Sequence, residues 1–404
     1  MALDNLTIFG VDYSGVAGFK AQNSQSSTMT YVRPEGTSNI TSNGTYNVAL
    51  YSAVSVSVSG VGGYTIDEIA KGELSGWISG STNAITNYAF AGTHITKATF
   101  PNVTTIFSNA FAGCWFLENV ASTDFPACKS IVGAAFMNCL NLTEVNFPLV
   151  TSTFLSAFAQ CGKLVSAYFP ELISIGGCTF QGCTSLETFS GSKVEQIGES
   201  AFAQCTNLPV ASFPNATSIT AYAFTECQNL STVSLPVASY IGYSAFVSCY
   251  ALTDVVFPNA TSVPGSLFNS CSALQTVGFP KLTSLPTNAF RGLSTLTSVS
   301  IPLVQVIANY AFSGCSALTE LSVSNLRSIG NSAFASCHRL VSLNLTGIPS
   351  VPSLYGSGCF ISTPMLNYST VAGRWGSIYV PASLYSAFLA STNWAYFSSR
   401  LVSV

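Results

Sequence analysis

Thirteen cysteines and only two histidines carry whatever nucleophilic or metal chemistry this chain of 404 residues could do. Ten of the thiols form one periodic column, each three residues after a phenylalanine, as in Phe136/Cys139, Phe202/Cys205 and Phe334/Cys337. A nucleophilic thiol needs a base beside it and access to substrate. His338 follows Cys337 directly, but a cysteine that recurs in phase with an apolar column points inward, and its neighbour then points out. Cys178 and Cys183 give a C-x4-C spacing without the second pair a tetrahedral zinc site needs. Leu293 takes the cysteine position once, which marks the slot as small and apolar. The column therefore reads as buried, reduced thiols. Neighbouring coils bring such cysteines within disulfide reach, so distance alone leaves oxidation open. Cys128, Cys178 and Cys359 stand outside the column and are the thiols to test for reactivity. No Gly-rich phosphate loop and no His-Glu-x-x-His occurs. The sequence reads as non-enzymatic, with no cofactor and no metal site.

The chemistry that remains is recognition. Segments such as Leu230-Ser-Thr-Val233-Ser-Leu235-Pro236 alternate apolar and polar residues, which means strands of about five residues with one face inward. Proline ends them where no ladder donor is needed. The outward positions form two columns. One runs Glu144, Ser166, Thr188, Val210, Thr232, Asp254, Thr276, Ser298, Glu320, Ser342; the other runs Asn146, Tyr168, Ser190, Ser212, Ser234, Val256, Gly278, Ser300, Ser322, Asn344. Most of this is a Ser/Thr carpet that could simply solubilise a sheet. The candidate binding residues are Glu144, Asn146, Tyr168, Asp254, Glu320 and Asn344. Tyr168 beside Glu144 and Asn146 sets an aromatic plane among hydrogen-bonding groups, a combination suited to a sugar ring.

What positions these residues is a repeat. From Phe136 to Phe334 the phenylalanines recur every 22 residues, nine times without a slip. Self-similarity at a fixed period is the mark of a solenoid, whose units bury their apolar faces against one another. Within a unit Phe202, Cys205 and Leu208 lie three apart and share a face of a short helical or 3-10 turn. The alternating strand follows, and a second apolar post (Ile175, Ile197, Ile219) closes the coil. One interval, Phe111 to Phe136, is 25 residues. Three extra residues around Ala121–Phe125 should bulge from one face, either as a binding edge or as a neutral insertion.

The run Asn-Ala-Phe-x-x-Cys-x-x-Leu-x-x-Val-x-Phe-Pro resembles the leucine-rich repeat of the BspA-like, treponemal type, over residues 79–360. The terminal Ile378-Tyr-Val-Pro-Ala-Ser-Leu384, with Thr392-Asn-Trp394 after it, is similar to the usual end of such proteins. The resemblance implies an α/β repeat solenoid in an arc, and non-enzymatic adhesion.

Outside the repeat, residues 1–60 read as a small β module. Its signs are an Asn43-Gly44 turn, a strand near Tyr31–Arg33 and strict alternation over Ala53–Gly60. Asn39–Val48 with Val54–Val58 resembles a β element at the front of bacteriophage structural proteins; a generic hairpin cap is the alternative. Residues 61–78 read as a Gly60–Gly63 linker and a cap helix, opened by a capping box at Thr65–Glu68 and stopped at Gly72. Residues 361–404 read as a C-terminal cap. It contains a strand at Ser377–Pro381 and a helix over Ala382–Ser391 with Leu384, Phe388 and Leu389 on its apolar face. Trp394, Tyr396, Phe397 and Leu401 complete it.

Charged residues make up 7% of the chain and the net charge is −3. No basic stripe offers itself to nucleic acid or to an anionic membrane, and no apolar run reaches the ~18–20 residues that span a bilayer. The N-terminus has neither the basic region nor the continuous apolar segment of a secretory signal. The leading expectation is therefore a bacteriophage virion protein for host attachment. Residues 1–60 would dock on other virion proteins and the solenoid would bind a host surface glycan or protein. The alternatives are a BspA-like adhesin at a bacterial cell surface and a capsid decoration without a ligand. A homo-oligomer stays open, with no heptad seam to impose one.

Overall fold

The computed structural model describes residues 19–23, 29–32, 46–49, 64–70, 73–78, 83–93, 95–366 and 375–404. The Asn43-Gly44 turn, the alternating Ala53–Gly60 stretch, the Gly60–Gly63 linker and His94 lie outside the described residues. The chain forms two compact units, residues 1–208 and 209–404.

In the first unit, Phe19–Asn23 pairs antiparallel with both Met29–Val32 and Tyr46–Ala49. The expected cap helix is instead a strand. Tyr64–Ala70 pairs antiparallel with Glu73–Ile78, which pairs in parallel with Lys97–Thr99 of the first coil. Tyr64, Thr65, Ile66 and Ile69 are aromatic or β-branched and favour the extended chain. The hairpin also satisfies the sheet edge that a cap helix would leave open.

Each coil then contributes to two parallel ladders. Asn119–Val120, Glu144–Asn146, Ser166–Tyr168 and Thr188–Ser190 stack rung on rung. Ser130–Ile131, Ser152–Thr153, Ser174–Ile175 and Gln196–Ile197 form the second, so the apolar post is itself a two-residue strand. The first-ladder strands hold at most three residues, shorter than expected. The Phe-Pro that follows already turns the chain, and Phe147 N–H donates to Tyr168 O of the next coil.

The Ala-Phe segment between the ladders is not a 3-10 helix. Ser156 and Gln160 flank Phe158 with φ of 60° and 62°, left-handed values that interrupt helical continuation. The N–H groups of Ser156, Phe158 and Gln160 donate to Gly177, Thr179 and Gln181 of the next coil at 2.8, 2.8 and 2.7 Å. Coils are thus laced together on this side too, and the turn's amides are satisfied without a helix. Phe158 lies between Phe136 and Phe180, with centroids 5.2 and 5.5 Å away and rings 6° from parallel in both pairs. Burying one such side chain contributes ~1.5–3 kcal/mol.

The cysteine slot is more than a packing slot. Cys161 and Cys183 donate Sγ–H to Phe136 O and Phe158 O of the preceding coils at 3.1 and 3.2 Å. At the ends of the repeat Thr93 and Thr363 occupy the same position, and each Oγ1 donates to its own phenylalanine carbonyl at 2.7 Å. Leu293 is the exception, filling the space without a donor.

Of the inserted stretch, Ala121, Ser122 and Thr123 are exposed in a turn, as expected, whereas Asp124 and Phe125 point inward. Asp124 is buried and accepts from Ala121 N at 2.7 Å and Thr99 Oγ1 at 2.9 Å. This knot swings Phe125 into the second phenylalanine column, 6.1 Å from Phe100 and 6.0 Å from Phe147. Cys128 is buried as well.

In the second unit, Val210–Ser212, Thr232–Ser234, Asp254–Val256, Thr276–Gly278 and Ser298–Ser300 form one parallel ladder. Glu320–Ser322, Ser342–Asn344, Ser377–Val380 and Leu401–Ser403 form another. On the other side the two-residue strands pair at Ser218–Ile219 with Tyr240–Ile241, and again from Ser284–Leu285 onward. The coil between them carries Pro264, which has no N–H to give where Gly242 donates to Ile219 O. In the C-terminal segment Ser377–Val380 is a strand, Ala382–Leu384 a 3-10 turn and Tyr385–Ala390 a helix shorter than the expected Ala382–Ser391, with Phe388, Trp394, Phe397 and Leu401 buried. Leu389 and Tyr396, expected on its apolar side, are exposed. Phe360 is a full rung, 5.2 Å from Phe334 with the rings 1° from parallel. Among the described residues no helix is long and apolar enough to cross a membrane.

Candidate recognition site

The outward residues of the first unit meet on three adjacent rungs. Glu144 pairs with Ser166 and Ser166 with Thr188 along one column, and Asn146 pairs with Tyr168 and Tyr168 with Ser190 along the other. Together with Ala167 and Phe189 these six side chains line a groove of about 320 Å3 on the strand face. Glu144 is exposed, Tyr168 is 45% exposed and Asn146 is half-buried. Asn146 Oδ1 is a buried oxygen with no protein hydrogen-bond partner. A buried acceptor left unpaired costs about 1–3 kcal/mol, and with almost no accessible surface this oxygen itself offers no contact to a ligand in the groove. Glu144 is the one charged residue among those lining the groove.

A lapse in the repeat gives the groove its apolar wall. The second phenylalanine column holds Phe147 and Phe169, then Gly191. Phe189, two residues earlier at a position that is valine or alanine in neighbouring coils, fills the hole. A Cβ on Gly191 would stand 2.7 and 2.9 Å from ring atoms of Phe189. The ring packs 5.2 Å from Phe202 and 6.3 Å from Phe169 while staying half-exposed. The exchanged residues were visible in the sequence: phenylalanine in the valine position and glycine in the phenylalanine position of one unit.

The other candidates do not join this site. Asp254 is exposed beside Thr232 and Thr276, with no aromatic on its rung. Glu320 pairs with Ser342. Asn344 sits between Ser322 and Tyr379 in register, but its Oδ1 accepts from Thr346 N and Oγ1 at 3.0 and 2.8 Å. It ties its own turn.

Burial pushes the Cys114, Cys128, Cys271 and Cys337 thiols up to about 12, and Cys359 up to about 11. Cys178 is half-exposed, and its thiol is still raised, by desolvation and then by the Glu199 carboxylate. None of these favours a thiolate. Cys337 is buried and donates to Phe312 O, while His338 is exposed with Nδ1 3.0 Å from Ser362 O. Among the described residues no three His, Cys, Asp or Glu side chains gather to hold a metal.

The family model described as BspA type leucine rich repeat region matches in six copies, over residues 77–165, 151–275 and 239–367. No curated protein sequence matches the chain. Among solved structures, a leucine-rich repeat protein from Bacteroides ovatus is 21% identical, covering 75% of this chain and 88% of its own, with a TM-score of 0.42. A leucine-rich cell surface protein from Faecalibacterium prausnitzii is 20% identical, covering 84% and 96%, with a TM-score of 0.37. The leucine-rich repeat protein of T. pallidum is 24% identical, covering 43% and 77%, with a TM-score of 0.33.

Proposed function

Because this chain belongs to the BspA-type leucine-rich repeat family, we propose that it is a non-enzymatic recognition protein of the surface-adhesin kind. It presents its strand face to a host glycan or protein. The observation that carries this reading is the groove of Glu144, Asn146, Tyr168 and Phe189, where hydrogen-bonding groups converge beside exposed aromatic surface. The raised thiols and the separation of Cys337 from His338 support the absence of a nucleophile. Nothing in the comparisons indicates a bacteriophage, and the family match favours the cell-surface alternative over the virion reading. In this reading residues 1–60 are the docking module that holds the repeats to their carrier.

The test is an arginine scan read on an array of glycans and extracellular proteins. Thr188→Arg and Ser190→Arg, on the strand face, should abolish binding. Gln196→Arg, exposed on the second ladder, should leave it unchanged. Equal loss from Gln196→Arg, or binding that survives all three, would count against the strand face as the recognition surface.

A further inference from the structure

We infer that the strand face of the second unit holds a site for a carboxylated sugar, a uronic-acid ring whose carboxylate is taken by Arg400. This rests on the recognition reading above and adds a ligand class and a place for it. The observation that carries it is a guanidinium without an anion. Arg400 is half-buried, with its guanidinium carbon 3.9 Å from the centre of the Trp375 ring. Its Nε is buried without a hydrogen bond, while Nη1 and Nη2 are left at the surface. Among the described residues the one salt bridge joins Lys193 to Glu171, so Arg400 has no carboxylate partner. A charge taken partly out of water is normally paired. A guanidinium held on an indole with its terminal nitrogens outward is a fork set for the two oxygens of a carboxylate.

The chain supplies no such carboxylate nearby. Residues 321–404 contain four arginines and no Asp or Glu. The last acid, Glu320, shares a ladder with Ser342 and Ser377. Leu401, next to Arg400, pairs with Ile378, next to Ser377. Three strand spacings therefore put the backbone of Glu320 roughly 14 Å from that of Arg400 along the ladder. One cation among neutral neighbours matches one negative charge, which favours a carboxylate over a doubly charged phosphate ester.

The surroundings choose what carries that carboxylate. Ser342, Ser377 and Tyr379 lie outward on the same ladder, half-buried, and bring hydroxyls to the rungs beside Arg400. Trp375, 60% exposed, keeps aromatic surface free beside the fork for the C–H face of a pyranose. Hydroxyls and an indole answer a sugar ring, whereas an acidic peptide has few hydroxyls to meet them. Glu144 gives the groove of the first unit the opposite charge, so an acidic sugar tells the two places apart.

The experiment is saturation-transfer NMR titration of the full chain with methyl glucuronide, methyl glucoside and a tetraglutamate peptide. Glucuronide should bind about tenfold or more tightly than glucoside, and less tightly as salt is raised. Arg400→Gln should remove that preference. Arg400→Lys, a point charge without the fork, should keep only part of it, and decides the matter if Arg400→Gln does not fold. Arg327→Gln, the same loss of charge beside the second ladder, should leave it unchanged. Circular dichroism melting checks that each variant folds. Equal binding of the two glycosides, a preference that survives in folded Arg400 variants, equal loss in Arg327→Gln, or tighter binding of the peptide would overturn the inference. If one of these is found while the arginine scan still removes array binding, the acidic-sugar site is wrong and the recognition reading stands. If both fail, both fall.

Discussion

In the first unit the inward strand residues run Val120, Val145, Ala167, Phe189, whereas in the second they run Ala211, Val233, Val255, Val277, Val299, then Leu321 and Leu343. The second unit's inner column changes by small steps, and its outward residues are mainly serine and threonine around Asp254 and Val256. In the first unit an abrupt step from Ala167 to Phe189 lines the groove that Tyr168, Asn146 and Glu144 share. In a solenoid the regular positions build the scaffold, and the lapses show where it has been shaped for something else.

The cysteine column is common to both units, so alkaline pH should break both together and gives the largest effect. A thiol in the unfolded chain ionises near pH ~8.5, whereas Cys114, Cys271 and Cys337 hold their protons to about 12. The folded state then binds more protons than the unfolded one above pH ~8.5. Stability is complete below that pH and falls by about 1.4 kcal/mol per pH unit for each such thiol as pH rises towards 12. Denaturant titrations from pH 7 to 11 should show midpoints that drop steeply above pH 9. A flat profile would mean the column is not buried.

Phenylalanine truncation separates a tight rung of the first unit from a loose one of the second. Phe158 is stacked at 5.2 and 5.5 Å, but Phe268 at 6.0 and 6.4 Å from its neighbours. Phe158→Ala should cost ~3–5 kcal/mol and Phe268→Ala the lower end of that range or less, measured by urea unfolding. Equal losses would remove the packing contrast. Within the first unit, Cys183→Ala should cost ~1–2 kcal/mol, combining the lost packing of the buried sulfur with loss of one of the two hydrogen bonds that the Phe158 carbonyl accepts, the other coming from Cys161 N–H. Cys183→Thr, copying Thr93 and Thr363, should cost less. Smallest of all, Tyr168→Ala and Asp254→Ala should each shift stability by no more than ~0.5 kcal/mol, while only the first alters binding on the array.

Much of this was legible in the chain itself. The 22-residue beat placed Phe158, Cys161, Leu164 and Ala167 inward, and period-two alternation put Glu144, Asn146 and Tyr168 on one face in the right register. The misreadings share a cause: local pattern was overruled by contacts between coils. Thr65–Glu68 has the spacing of a capping box, but its backbone finds a strand partner at Glu73–Ile78. The Ala-Phe turn has helical spacing, yet its amides bond to the next coil. In residues 121–125 the inward turn of Asp124 and Phe125 was missed because Asp124 gave no sign of its partner Thr99, 25 positions earlier. Leu293 hid the donor role of the cysteine slot. Phe189 was missed because a repeat is read by its matches, and its role lies in a mismatch compensated two residues later.

That mismatch is the most direct test. Phe189→Val combined with Gly191→Phe rewrites the lapse as a regular coil, returning valine and phenylalanine to their usual columns while keeping Tyr168, Asn146 and Glu144. The measurement is binding of this double variant to the array ligand, beside its melting temperature. Retained melting with binding lost is the predicted result. Binding at native strength in a folded double variant would contradict the claim that the groove made by Phe189 is the recognition site.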